Sequence, residues 1–438
     1  MIRGYFLMKT VIMAGGKGTR ISSLVNNIPK PMIKIGNKPI LEYEIDSLRN
    51  QGFKDIILTI GHLGNSIINY FGNGSKVSPV TNIDFGVHIE YFVEEEPLGN
   101  AGALLRMKKQ LTDDFLLLNA DVIFNVDFKR FVSFHKKHGG LVTLFTHPNS
   151  HPYDSGLIIA NEQNMVEKWL SKEEDRPVYY QNRVNAGLHI INPTILKEIT
   201  PTAQVDLDRH LLKPLAGTGK MFCYDSPEYV KDMGTPERYY SVSNDFNLGI
   251  VNQKNLKKMQ KAIFLDRDGT VNKHVGFLKN IDDFELIDGV AEAIKTLNRI
   301  GYLVIIVTNQ PVVARGEITE KELKKIHNKM ETLLGMQGAY LDAIYYCPHH
   351  PDKGYKGERK ELKIKCKCRK PNPGMLLEAA KHFNIDLKCS WMVGDSANDI
   401  KAGQYAGCKT ALIGKGNFGQ KLTADSLLNF IKLLQVSD

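Results

Sequence analysis

Two stretches of this 438-residue chain hold residue types that can handle phosphate. The first is Ala14-Gly15-Gly16-Lys17-Gly18-Thr19-Arg20, directly after the apolar run from Thr10 to Met13. Glycines let the backbone approach phosphate oxygens and turn N–H groups toward them. Ile21 stands where a dinucleotide fingerprint needs a third glycine, and no Gly-Lys-Ser/Thr closes an ATPase-type loop. The second stretch is Asp266-Arg267-Asp268-Gly269-Thr270, directly after Ala262–Leu265. Two acids so close on a tight turn repel each other unless a cation or phosphate chemistry uses them. Thr308-Asn309-Gln310, Lys370 and the pair Asp395 and Asp399 follow in order, the last two one helical turn apart. A third cluster is Cys347, His349, Cys366 and Cys368. Three thiolates and an imidazole suit tetrahedral Zn²⁺ with no open position, which makes such a site structural. Cys223, Cys389 and Cys408 read as core or surface thiols.

The elements that must position these groups alternate. Ile56–Ile60, Phe115–Leu118, Leu141–Phe145 and Gly187–Ile191 read as strands. Ile40–Asn50, Ala101–Lys109 and Phe128–His138 read as helices. After the second acidic loop the pattern repeats. Leu303–Val307, Ala343–Cys347, Trp391–Val393 and Thr410–Ile413 read as strands. Val290–Arg299, Glu320–Leu334, Pro373–Phe383 and Leu422–Leu434 read as helices. This is an α/β chain with largely parallel sheet. The polar stretch Asn247–Lys261 is the expected linker, which divides the chain into domains 1–250 and 251–438, the latter with its metal loop at 347–368.

Composition bounds the partners. Fifty-seven Lys and Arg against forty-eight Asp and Glu give a net charge of +9. The cations are scattered and no basic motif is interleaved with aromatics, so the expected partners are phosphorylated small molecules rather than nucleic acid. No run of eighteen apolar residues is present, so no membrane span is expected. Lys9 breaks the apolar N-terminal stretch, and no leader peptide is expected. Six cysteines with metal-like spacing suit a reducing cytoplasm. A homo-oligomer is left open.

The glycine-rich string followed by Ile28-Pro29-Lys30-Pro31-Met32 resembles the signature of sugar-phosphate nucleotidyltransferases. Glu94–Ala103 resembles that family's nucleotide-base segment, and Asn119–Val122 its metal aspartate after a strand. Asn185-Ala186-Gly187 resembles its sugar-binding turn, and Asp232–Glu237 its second metal aspartate. The resemblance implies a Rossmann-like fold with a mixed sheet. It also implies a reaction in which a sugar 1-phosphate oxygen attacks the α-phosphorus of a nucleoside triphosphate and expels pyrophosphate. Both reactants are polyanions, so catalysis is positioning and charge neutralisation. On this resemblance Arg20 clamps the triphosphate, and Lys30 holds the sugar phosphate or the α-phosphate. Ala14, Gly15, Gly16, Gly18, Thr19, Gly99 and Asn100 bind the nucleotide, and Asn185, Gly187 and Lys172 the sugar. Asp121 and Asp232 hold Mg²⁺. Two segments depart from the family: Ser22–Val25 after the loop arginine, and Ser171-Lys172 in place of a Glu-Lys pair. Both lie where sugar choice is set, and they resemble the branch that activates heptose 1-phosphate, related to mannose-1-phosphate guanylyltransferases. GTP as the expected nucleotide rests on that resemblance alone.

The second set resembles the haloacid dehalogenase phosphatases, with four motifs in order. It implies a Rossmannoid domain with parallel sheet. The short gaps from Thr270 to Thr308 and on to Lys370 leave room for only a minimal cap. Asp266 would form an aspartyl-phosphate. Asp268 would protonate the leaving oxygen and then activate water. Thr308 and Lys370 would hold the phosphoryl oxygens. Asp266, the Asp268 carbonyl and Asp395 would hold Mg²⁺, with Asp399 orienting its neighbours. Asn309, Arg315 and Arg369 would bind substrate. The cysteine loop resembles that of heptose bisphosphate phosphatases and of histidinol-phosphate phosphatases. The stretch between His349 and Cys366, with Cys368–Gly374 after it, favours the heptose enzymes.

The halves explain each other. A phosphatase acting on heptose 1,7-bisphosphate leaves the heptose 1-phosphate that a nucleotidyltransferase consumes, so the expected product is a GDP-heptose for surface glycans. Two alternatives remain: a mannose-1-phosphate guanylyltransferase fused to a histidinol-phosphate-type phosphatase, and a sugar-nucleotide-sensing module. Retention of Arg20, Lys30, Asp121 and Asp232 speaks against the sensor.

Overall fold

The computed structural model describes residues 8–16, 28–61, 63–78, 80–96, 98–99, 101–197 and 204–437. The chain packs as two compact units. The first comprises Met1–Thr146, Ile158–Leu170 and Asn185–Asn255; the second comprises His147–Leu157, Ser171–Val184 and Leu256–Asp438. The division is therefore not a single cut near residue 250. The polar excursions 147–157 and 171–184 carry no strand or helix pattern that would have placed them. Within the second unit the Tyr180 N–H donates to Thr332 Oγ1 at 2.9 Å, and that hydroxyl donates back to the Tyr180 carbonyl at 3.1 Å.

The first unit is built on a nine-stranded mixed sheet. Its central strand β1 (Thr10–Met13) pairs in parallel with β2 (Asp55–Ile60) and with β4 (Phe115–Asn119). Strand β3 (His88–Val93) adds in parallel outside β2. On the other side of β4, β9 (Val184–Ile191) runs antiparallel. Strands β1, β2 and β4 are almost wholly buried, which explains their continuous apolar sequences. Met13 pairs with Asn119, so the glycine loop and Asp121 leave neighbouring parallel strands at the same end. Two short antiparallel strands, β5 (Val122–Asn125) and β11 (Tyr229–Asp232), bring Asp232 opposite Val122.

The second unit has a six-stranded sheet, all parallel. Its central strand β12 (Ala262–Leu265) lies between β13 (Leu303–Asn309) and β15 (Trp391–Gly394). Alternation sorts the side chains: Ile263, Leu265, Ile306 and Val393 enter one core, and Phe264, Ile305, Val307 and Met392 the other. Leu265 registers with both Ile306 and Val393, so the loops after three strands emerge together. Ligands bind at such carboxyl ends of parallel strands. The helix Glu320–Met336 starts at a capping box made by Thr319 and Glu322 and buries Leu323, Ile326, His327 and Met330. The helix expected over Leu422–Leu434 is a strand followed by a helix. Leu422–Ala424 adds in parallel to Lys409–Ile413, and the helix runs over Leu427–Ser437. Ser426 Oγ accepts from the Asn429 N–H, so the helix starts only after Asp425.

Candidate active sites

In the second unit, Asp266 continues β12, its N–H donating to the Val393 carbonyl at 2.9 Å. Lys370 Nζ reaches Asp266 Oδ1 at 2.7 Å and Asp399 Oδ1 at 2.6 Å. The Lys370 backbone is fixed by Asn309, which accepts from its N–H and donates to its carbonyl, both at 3.0 Å. Asn309 thus holds the lysine. Asp399 accepts from the Ser396 N–H and hydroxyl and caps the helix Ala397–Ala406. Its carboxyl packs against Gly394, where a β-carbon would lie 2.4 Å from Asp399 Cγ. Gly269 is required more strongly: with φ +83°, its β-carbon would lie 2.0 Å from Asp395 Oδ2. Asp266, Asp395 and Asp399 present oxygens within 4.8 Å of one another.

Burial first, and then Asp399, raise both Asp266 and Asp395 above the ordinary carboxylate range; Lys370 opposes this. Burial would lower Lys370, but Asp266 and Asp399 hold it above its usual value. One ammonium among three converging carboxylates leaves excess negative charge, and hard oxygen donors in that state fit Mg²⁺. Asp268 is different. Burial acts to raise it, yet the Arg267 guanidinium and hydrogen bonds from Gln310 and Asn272 hold it below the ordinary range. A cavity of about 280 Å³ opens over these groups, lined by Asp266, Asp268, Thr308, Arg369, Lys370 and Asp395 among others. Arg369 donates to the His349 carbonyl at 3.2 Å. Arg315 is buried between two rings, its Cζ 4.0 Å from the Phe277 centroid and 4.5 Å from that of Tyr355. It does not line the cavity.

Cys347, His349, Cys366 and Cys368 come together with ligand atoms within 4.8 Å. The sulfur pairs are 3.2, 3.3 and 3.5 Å apart. That is far beyond a disulfide at about 2.05 Å. It approaches the edge of about 3.7 Å that a tetrahedron with Zn–S bonds near 2.3 Å requires. The neighbouring Cys368 and then burial push the Cys347 thiol up. The donor set fits zinc. His350 stands outside the cluster and accepts from the Asp352 N–H at 3.2 Å.

In the first unit, Ala14 extends the ladder through its N–H to the Thr59 carbonyl at 2.9 Å. Gly15 lies against Glu94, whose oxygen would be 3.2 Å from an added β-carbon; at Gly16 an added β-carbon meets nothing within 4 Å among the described residues. Gly18, Thr19, Arg20 and Asn100 lie outside the described residues. Lys30, in the turn Lys30–Met32, ion-pairs with Asp121. Arg238 grips both oxygens of Asp232 at 2.8 and 2.9 Å. Burial acts to raise Asp232, but Arg238 and then the Gly234 N–H hold it down. The Met233 N–H donates to the Asp121 carbonyl, which ties the two acids' strands together. Two carboxylates are a suitable donor pair for Mg²⁺, each having a basic partner here. Gly99 backs onto the Val205 backbone, and Gly187 lies beside Asn119. Asn185 Oδ1 accepts from the Gly187 N–H at 3.3 Å and is 3.0 Å from His189 Nε2. Lys172 lies in the second unit and pairs with Glu173 on an exposed turn.

Sequence reasoning missed several neighbours. Arg238 grips Asp232, and fully buried Glu44 is raised well above its usual value by burial and then Asp121. Arg267, Asn272, Gln310 and His327 surround Asp268 or its partner. Only Arg267 offered a signal, as a cation fixed between two acids.

An aspartate at the end of the central parallel strand, with Thr, Lys and two more Asp from neighbouring loops, defines the haloacid dehalogenase class of phosphoryl-transfer site. The comparisons with known proteins agree and add the second half. The nucleotidyl transferase family model matches residues 9–247, and a HAD-hydrolase-like model matches residues 367–429. The D-glycero-beta-D-manno-heptose-1,7-bisphosphate 7-phosphatase of Pasteurella multocida is 46% identical over 167 residues, 38% of this chain and 87% of that protein. The chain belongs to the nucleotidyl transferase family and, through its C-terminal part, to the family of these 7-phosphatases. It is therefore an enzyme with transferase and phosphatase halves. Among solved structures, HddC from Yersinia pseudotuberculosis is 24% identical with a TM-score of 0.46, covering 55% of this chain and all of that one. The D,D-heptose 1,7-bisphosphate phosphatase from B. bronchiseptica, complexed with magnesium and phosphate, is 34% identical with a TM-score of 0.37, covering 41% of this chain and 100% of that one.

Proposed function

We propose that the chain makes a nucleotide-activated heptose in two steps. The C-terminal half removes the 7-phosphate of D-glycero-D-manno-heptose 1,7-bisphosphate. The N-terminal half joins the resulting 1-phosphate to a nucleoside triphosphate, GTP by the resemblance of its departing segments. The observation that carries this reading is the presence in one chain of a nucleotidyl transferase match and 46% identity to a heptose bisphosphate phosphatase. One product is the other half's substrate.

In the phosphatase half, an Asp266 oxygen attacks phosphorus while Asp268, which takes up a proton as the anionic phosphate enters beside it, gives that proton to the leaving sugar oxygen, whose bond to phosphorus breaks. Asp268 then takes a proton from water as that water displaces phosphate from Asp266. Thr308 and Lys370 stabilise the phosphoryl oxygens, and Arg369 reaches toward the phosphate that stays. Asp266, Asp395 and the Asp268 carbonyl would hold Mg²⁺, which supplies charge neutralisation of the phosphoryl group. Cys347, His349, Cys366 and Cys368 would hold a structural Zn²⁺ that staples the loop beside Arg369 and Lys370. In the transferase half, Arg20 and Lys30 would neutralise the triphosphate and the incoming sugar phosphate. Asp121 and Asp232 would hold Mg²⁺ when substrates bring the charge that releases Lys30 and Arg238 from them. None of the six cysteines is in a disulfide, which suits a reducing cytoplasm. Among the described residues no helix is long and apolar enough to cross a membrane.

The test is a substrate panel. Sugar 1-phosphates are crossed with GTP, ATP, UTP and CTP, with pyrophosphate release as the readout, and sugar bisphosphates are assayed for phosphate release. Heptose 1-phosphate with GTP should turn over fastest. Preference for mannose 1-phosphate, together with hydrolysis of histidinol phosphate, would favour the rival fusion.

A further inference from the structure

The acid–base residue Asp268 sits in a buried network that the proposed reaction does not by itself explain. Its carboxylate is partly exposed to the cavity, but the groups behind it are sealed. Arg267 is 0% exposed, Asn272 0%, Thr308 1% and Gln310 2%. Arg267 Nη2 donates to both Asp268 oxygens at 2.9 Å and to Gln310 Oε1 at 3.1 Å. Gln310 Nε2 donates to Asp268 Oδ2 at 2.9 Å and to Thr308 Oγ1 at 2.8 Å. Asn272 Nδ2 donates to Asp268 Oδ1 at 3.1 Å. The far end of the guanidinium, Nη1, lies 3.2 Å from Nε2 of His327, itself buried on the helix Glu320–Met336.

The chemistry of the pair fixes the proton. A guanidinium has only donors, so His327 Nε2 must accept, and its proton sits on Nδ1. Burial first, and then Arg267, push His327 down to about 3, so it stays neutral at working pH. A buried guanidinium costs too much to retain unless its donors are met. Here Asp268, Gln310 and His327 meet them. The bidentate grip of Arg267 fixes the plane of the Asp268 carboxylate, which a single lysine contact would not do.

We infer that Arg267, with His327 as its neutral acceptor, is a positioning unit that aims Asp268 at the leaving oxygen and at the attacking water. This rests on the phosphatase reading above. In the first step the P–O bond to the sugar breaks as the Asp266–phosphorus bond forms, and the Asp268 proton goes to the sugar oxygen. In the second step water forms the new P–O bond, its proton returns to Asp268, and Asp266 is released. Only the first step depends on how badly the leaving group needs a proton.

That dependence is the test. In the full chain with Mg²⁺, kcat/KM is measured for a sugar 7-phosphate or other primary-alcohol phosphate and for p-nitrophenyl phosphate, which leaves without proton assistance. Positioned general acids contribute roughly 100-fold or more. Arg267→Met and His327→Leu should therefore lower the ratio of the alkyl to the aryl rate at least tenfold. His327→Gln, which keeps an acceptor, should restore most of it. If Arg267→Met does not fold, His327→Leu decides. A ratio that falls less than threefold in the folded variants overturns the inference, because a merely structural role lowers both rates alike. Failure of the wild-type chain to hydrolyse any alkyl phosphate would instead sink the phosphatase reading itself.

Discussion

Gly269→Ala tests the convergence of loops on which the phosphatase site depends. A β-carbon at Gly269 would stand 2.0 Å from Asp395 Oδ2 and 2.8 Å from its Cγ. Real β-carbons essentially never come closer than 3.0 Å, so the Asp395 carboxylate would have to retreat by about 1 Å or more. The residue also has φ +83°. A left-handed conformation costs a residue with a β-carbon about 1–2 kcal/mol. For a unit of this size that corresponds to a drop of roughly 2–8 °C in melting temperature, so the protein should still fold. Activity should suffer more than stability. A misplacement near 1 Å of a group in a phosphoryl-transfer site costs on the order of 100-fold. Phosphate release from the bisphosphate should therefore fall about 100-fold. Pyrophosphate release, catalysed in the other compact unit of the same molecules, should stay within about twofold. Both rates and the melting curve come from one preparation. Full phosphatase activity in the folded variant would refute the argument that Asp395 must sit against residue 269.

Other perturbations separate the parts. Asp266→Asn should abolish phosphate release while pyrophosphate release continues, since an amide is a far weaker nucleophile; paired assays on the folded variant check this. Purified protein should contain about one zinc per chain by elemental analysis, and Cys366→Ser should lose it and slow bisphosphate turnover without touching the nucleotidyl activity. Arg369→Ala should raise KM for the bisphosphate at least tenfold more than for p-nitrophenyl phosphate, because it removes binding to the remote phosphate.

The sequence carried the catalytic loops well because their chemistry constrains short strings. An Asp-x-Asp-Gly turn after an all-buried strand has few other uses, and the parallel register that lines up Leu265, Ile306 and Val393 then assembles the site. What escaped was mostly at the sheet edges. Strand β3, at one edge, presents His88 and Val93 to solvent and only Ile89 fully to the core. The strand Val166–Leu170 at the other edge exposes Glu167 and Lys168. Edge strands tolerate such charges, which erase the apolar signal. The position of His327 also escaped. It depends on which distant segment packs against Arg267, and spacing along the chain does not encode that. Leu422–Ala424 misled because three residues before a helix are too few to show a period of their own.

In the proposed sequence the phosphatase half makes the substrate of the nucleotidyl half. Phosphorus NMR of the full chain with heptose 1,7-bisphosphate, GTP and Mg²⁺ tests it most directly. The 7-phosphate resonance should disappear first, giving inorganic phosphate and a persistent anomeric phosphate. Pyrophosphate and a nucleoside diphospho-sugar should then rise as the anomeric signal is consumed. Inorganic phosphate arising from the anomeric carbon, or an anomeric phosphate that is never taken up with any nucleoside triphosphate, would contradict the claim.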